Sequence, residues 1–192
     1  MTYQQLYIQL EQAQEKNNQY NYVTAQQIAQ DVLRLCAELD KEANPIDFNT
    51  LSAFGNRIIA ESHFLQGDLA EALPFAEQSR LYSEQSENLQ DKIQCEVLLA
   101  NIQSGKAEHE AALEHLLQAE QIAHIANDNR ALAAIENHKG RFFFNTGQNH
   151  LAIETFNGII GTEWESINDD FNAEVLANLA TCHIQIGKYE KA

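Results

Sequence analysis

Seven histidines, three cysteines and one knot of carboxylates are the side chains of this 192-residue chain whose chemistry could reach beyond packing. His109 and His115 stand six apart, which on a helix sets them roughly 600° apart at about 100° per residue, far from one face. There is no HExxH, no CxxC and no Cys/His quartet, so metal-ligand spacing is missing. Cys36, Cys95 and Cys182 are odd in number and widely spaced, as reduced thiols packed like small hydrophobes are in a cytosolic protein. Glu163, Glu165, Asp169 and Asp170 surround Trp164, and paired carboxylates can do acid/base work. In a loop of so acidic a chain they are expected to face solvent, with Trp164 as a packing anchor. Phosphate cradles of the GxxxxGK[ST] or GxGxxG type are missing; Gly158-Ile159-Ile160-Gly161 lacks both the lysine and the strand. A Ser or Cys nucleophile would need a positioned base that the repeat pattern does not identify. The expectation is a protein that is not an enzyme, with no catalytic residue, no metal and no cofactor.

Composition narrows the partners. Lys and Arg number 12 against 28 Asp and Glu, a formal charge of −16. A nucleic-acid binder must neutralise phosphates with clustered basic residues, and this chain has no such cluster. Anionic membrane surfaces are disfavoured for the same reason. The charge serves solubility, or else a preference for basic partner segments. Two prolines and eight glycines are too few for the turns of a sandwich or barrel, so helices are expected. The start, Met1 to Tyr7, has neither the cationic residues nor the apolar run of a signal peptide, and no stretch approaches the ~18 apolar residues of a membrane span. A cytoplasmic location is expected.

The elements that would position any site emerge as a repeat. Gly67-Asp68-Leu69-Ala70-Glu71-Ala72 aligns with the segments ending at Ala112, Ala152 and Ala192, each 40 residues on (112−72, 152−112, 192−152). Twelve residues upstream stand Ala60, Ala100, Gly140 and Ala180; four downstream of the first three stand Ala76, Leu116 and Phe156. Larger apolar residues fall at helical spacing on both sides of each turn, for example Ile58, Ile59, Phe64 and Leu65 before Gly67 and Leu73, Phe75 and Tyr82 after it. Each unit therefore reads as two antiparallel amphipathic helices joined by a short turn that carries glycine. Small residues let the pair approach, so a leucine at Ala100 or Ala112 is expected to overpack it at a cost of ~1–3 kcal/mol. Upstream, Leu6, Leu10 and Ala13, then Ile28, Val32 and Leu35, mark a divergent first pair, broken at Asn17 to Asn21. Asp40 to Asn49, with Pro45, reads as a loop. Domain boundaries follow as one solenoid over 1–192: a first pair at 1–40, repeats at 48–87, 88–127 and 128–167, and a truncated repeat at 168–192.

On these residues the chain resembles the tetratricopeptide repeat (TPR) family. Gly187-Lys188-Tyr189-Glu190-Lys191-Ala192 looks like that family's inter-helix turn; Leu99-Ala100, Leu179-Ala180, Phe143 and Phe156 fill its other marked slots. The resemblance implies an all-α, right-handed superhelical solenoid of antiparallel helix pairs. It departs from the usual unit of 34 residues by six, roughly 4–5 Å more per helix, as in kinesin light chains and bacterial TPR regulators. His63 and His183 replace the first-helix aromatic and are expected to be packed. The family's early Trp and its unit-ending proline are missing.

In the family one face of each first helix lines a concave groove that holds a protein or extended peptide. The matching positions here include Arg57 and Glu61, Asn101, Asn137, Arg141 and Asn145, and Thr181 and Gln185, with His138 and Asn178 as flanks. An Asn side chain both donates and accepts, so it can grip peptide backbone whatever its sequence; Arg141 could pair with a ligand carboxylate. Val97, Asn137 and Ala177 stand where a chaperone-tail receptor needs Lys or Arg, which speaks against that role. The alternative is that these Asn are merely solvated. The stop at Ala192, one turn into a second helix, leads us to expect that the protein continues. It would then be the N-terminal regulatory or sensor region of a larger bacterial signalling protein, such as a diguanylate cyclase or transcription regulator. The other readings are a stand-alone cytoplasmic peptide-signal receptor or assembly adaptor, and a homodimer formed through the uncapped C-terminal end.

Overall fold

A computed structural model describes residues 2–39, 44–160 and 169–189, and among them every regular element is an α-helix. Glu163, Trp164 and Glu165 of the expected cluster, the Asp40 end of the expected loop and the aligned Ala192 lie outside the described residues, whereas Asp169 and Asp170 stand not in a loop but at the start of the last helix. The chain divides into two compact units, residues 1–108 and 109–192.

In the first unit α1 (Tyr3–Asn18), α2 (Tyr22–Ala37), α3 (Pro45–Leu65), α4 (Leu69–Glu84) and α5 (Leu89–Gly105) each pack on the next. The odd-numbered helices also meet directly, α1 on α3 and α3 on α5. In the second unit α6 (His109–Ala126), α7 (Asn129–Asn145), α8 (Asn149–Ile159) and α9 (Asp169–Tyr189) follow the same rule, and α7 touches α9.

The 40-residue step is physical. Helices α4, α6 and α8 begin at 69, 109 and 149. Ala72, Ala112 and Ala152 are all fully buried, and Ala76, Leu116 and Phe156 four residues on are buried too. Ahead of each of these helices lies the same cap. Gly67, Ala107 and Gly147 take left-handed backbone, φ +82°, +62° and +78°. Their N–H groups donate to Phe64, Ser104 and Phe144, while the next N–H, of Asp68, Glu108 or Gln148, donates to His63, Gln103 or Phe143. That pair of bonds satisfies carbonyls left open at a helix end and turns the chain sharply enough for a hairpin. Tyr20 and Asn127 close α1 and α6 the same way.

Some expectations are corrected. Pro45 does not lie in a loop: Asn44 caps α3 by accepting from the Asp47 N–H, and proline, having no N–H, fits the first helical position. His109 lies in no turn but opens α6, its ring edge-on to Phe142 at 6.1 Å. His63 is packed, stacked on Phe75 at 5.9 Å, but His183 is exposed, as is Ala180 in the small-residue register. Helix α9 packs on α7 and α8, and its Leu176, Ala180, His183 and Ile184 are exposed.

Candidate functional site

In the first unit α1, α3 and α5 enclose a groove of about 350 Å³, within the range of ligand-holding clefts. Its floor is Arg57, whose side chain is only 9% exposed. The guanidinium lies over the Phe54 ring, 4.9 Å from its centroid, and Tyr7 of α1 tilts against the same ring at 5.5 Å. Arg57 Nη1 donates to Glu61 Oε1 at 2.5 Å and, at 3.4 Å, to Gln14 Oε1, while Gln14 Nε2 donates to the other Glu61 oxygen. Arg57 Nε has no partner among the described residues.

Opposite stands Asp91 on the first turn of α5, 8% exposed, with its Oδ2 likewise unpartnered among the described residues. Burial raises its carboxyl above the usual range and the Arg57 charge partly offsets that. Asn88 caps α5 by accepting from the Gln90 and Asp91 N–H groups, which fixes where this turn begins. Arg57 and Asp91 both line the groove, and each keeps a buried polar atom without a partner among the described residues, at a cost of about 1–3 kcal/mol apiece, so they call for an explanation.

In the second unit α7 and α9 bring Asn137, Arg141 and Asn178 together. Asn137 is 4% exposed; its Nδ2 donates to Glu174 Oε1 at 3.0 Å, and its Oδ1 accepts from Asn178 Nδ2 at 3.1 Å. Arg141 Nη1 lies 3.9 Å from the same Glu174 oxygen. His138 beside them is held neutral, its pKa lowered to about 4 by burial and by the Arg141 charge, and its Nδ1 has no partner among the described residues.

The sequence-derived residues therefore separate into groups. Arg57 and Glu61 form one pair; Asn137 and Arg141 meet through Glu174. Asn101 is half-buried on α5, Asn145 is exposed at the end of α7, Gln185 is half-buried, and Thr181 is exposed and donates back to the Ala177 carbonyl. Asn137 is not a solvated helix-face residue.

Tyr7, Gln14, Asp91 and Glu174 were not singled out from sequence. Asp91 did leave a signal. Its register is apolar elsewhere, with Leu51, Ala131 and Phe171 at steps of 40, so an acid stands in a core slot. Gln94, which lines the first groove, and Glu174 share a register too, each 37 residues after Arg57 or Asn137.

Thiol chemistry gains no support. Cys36, Cys95 and Cys182 are buried and free, and burial pushes each up, Cys95 to about 11, so thiolate is scarce at neutral pH. Among the described residues no group of three or more His, Cys, Asp or Glu could hold a metal ion, and no helix is long and apolar enough to cross a membrane.

The fold these elements define is that of TPR-like repeats of helix pairs. No protein-family model and no curated protein sequence matches the chain. Solved structures do. Apo RapI aligns with 97% of this chain at a TM-score of 0.74 and 14% identity. The chain spans 65% of the length of RapI. A Podosopora anserina chain described as a putative kinesin light chain with nearly identical TPR-like repeats aligns with all of this chain and 91% of its own, at a TM-score of 0.70 and 15% identity. A singly substituted form of that chain gives a TM-score of 0.71 and 16% identity over the same shares. At such identities the likeness establishes the fold.

Proposed function

We propose that the chain is a TPR-type scaffold that holds a protein or an extended peptide on its first helices. The observation that carries this is the groove of α1, α3 and α5, where Arg57 Nε and Asp91 Oδ2 are buried without a partner among the described residues. An extended peptide presents carbonyls and N–H groups that could satisfy both. The Asn137, Glu174, Asn178 and Arg141 network supports the same role in the second unit, since amides and a guanidinium can exchange internal partners for a ligand's.

In this reading Arg57, Glu61 and Asn101 serve the first unit, and Asn137, Arg141, Asn145, Thr181 and Gln185 the second. The chain would act as the N-terminal regulatory or sensor region of a larger bacterial signalling protein, in the cytoplasm. The test is to change Asp91 of the first groove and Arg141 of the second network together to alanine and compare capture of natural partners with the parent chain. Lost capture fits the proposal; unchanged capture would move binding to the second helices or the ends.

A further inference from the structure

We propose that the groove between α1, α3 and α5 is built to seat a basic side chain, Lys or Arg, of the bound peptide. This rests on the reading above and adds which residue the groove selects. Four observations converge on it.

The lining is unbalanced in charge. Glu11, Glu15 and Asp91 face the groove against Arg57 alone, three carboxylates to one cation. Arg57 does not neutralise them freely, because its Nη1 is committed to Glu61 and Gln14.

Asp91 is also the wrong residue for a packing role. It stands where the repeat elsewhere places Leu51, Ala131 and Phe171, and its Oδ2 finds no donor among the described residues. A carboxylate kept in an apolar slot with an open acceptor suits a charged donor brought from outside.

The wall beside it is aromatic. Arg57 already covers Phe54, while Tyr7 remains 40% exposed on the flank. The methylenes of a lysine or arginine can lie along Tyr7 while the charged head reaches Asp91.

The remaining open atom matches the same ligand. Arg57 Nε is a donor, so it takes a main-chain carbonyl of the peptide as the basic side chain enters. One basic residue in an extended chain supplies both missing partners: a cationic donor for Asp91 and a carbonyl acceptor for Arg57.

The test is selection of random dodecapeptides displayed on phage against the full chain, repeated on Asp91→Asn and on Glu11→Gln. Asp91→Asn keeps the shape and removes the charge; Glu11 lies on an exposed rim, so its variant keeps the question open should the first fail to fold. Circular dichroism checks both. The proposal expects Lys or Arg to be enriched at one position of the selected peptides. It also expects a chosen peptide to bind about tenfold more weakly to Asp91→Asn, with a smaller loss for Glu11→Gln. A norleucine at the enriched position should bind the parent chain as weakly. Peptides selected with no basic preference would overturn this proposal and leave the scaffold reading standing. A basic preference equally strong on both variants would assign it to the overall charge and overturn it as well. If no peptide is selected at all, both readings fail.

Discussion

The ring of Phe156 fills the space that a side chain at position 140 would need. A methyl group on Gly140 would fall 2.4 Å from Phe156 Cε1 and 2.6 Å from Cζ. Phe156 is fully buried, so the ring has nowhere to withdraw. In the first unit the equivalent positions are Ala60 and Ala76, buried in one cluster. The larger residue on the second helix thus goes with the smaller one on the first.

Gly140→Ala is therefore expected to destabilise the protein by about 1–3 kcal/mol, although alanine favours helix by about 1 kcal/mol. Urea denaturation measures it. Adding Phe156→Leu to the Gly140→Ala chain should recover part of the loss, which separate effects would not do.

Ala107 carries a backbone penalty that its register-mates Gly67 and Gly147 avoid. Ala107→Gly should raise stability by about 0.5–1 kcal/mol, and Gly67→Ala or Gly147→Ala should lower it by about 1–2 kcal/mol. Nothing lies within 4 Å of a methyl at either glycine, so those losses would report backbone conformation alone. The midpoints of urea unfolding check all three.

Asn17 ties α1 to α3 from inside the first unit. Its Nδ2 donates to the Ile58 carbonyl at 3.1 Å, and its Oδ1 accepts from Ser62 Oγ at 2.6 Å. Asn17→Ala is expected to cost about 1–3 kcal/mol, more than Ser62→Ala, because Ser62 has a single hydroxyl proton, shared between Asn17 Oδ1 and the Ile58 carbonyl of its own helix, and is the lesser bridge between helices. Thermal unfolding of the two variants gives the order.

His138 sets a pH dependence. Its folded value, about 4, lies below the ordinary 6.5, so the unfolded chain binds the proton more tightly. Its contribution is complete above pH 6.5 and is lost as pH falls from 6.5 towards about 4. His138→Gln should make stability less steep in pH across that window, and the parent His138 ring should titrate near 4 by NMR. A midpoint near 6.5 would contradict the burial described here.

The register was legible because packing imposes it. Alanines at 72, 112 and 152 must be small where two helices touch, and the left-handed residue before each second helix must close a cap. The groove was legible by halves. Arg57, Asn137 and Arg141 lie on first helices whose face the repeat predicts, but their partners come from other helices. Gln14 is 43 residues from Arg57, in a first pair with no register of its own, and Glu174 is 37 from Asn137. Periodicity says which face a residue takes, not which side chain meets it across a gap. The start of α3 at Pro45 was misread because proline after a polar run suits a loop as well as a helix start; only the Asn44 cap decides.

The most direct test of the central claim is amide hydrogen exchange on the full chain with and without a peptide selected against it. A scaffold that binds on its first helices predicts slowed exchange on α1, α3 and α5 around Tyr7, Arg57 and Asp91, or on α7 and α9 around Asn137 and Asn178. Protection confined to α2, α4, α6 and α8 would contradict it.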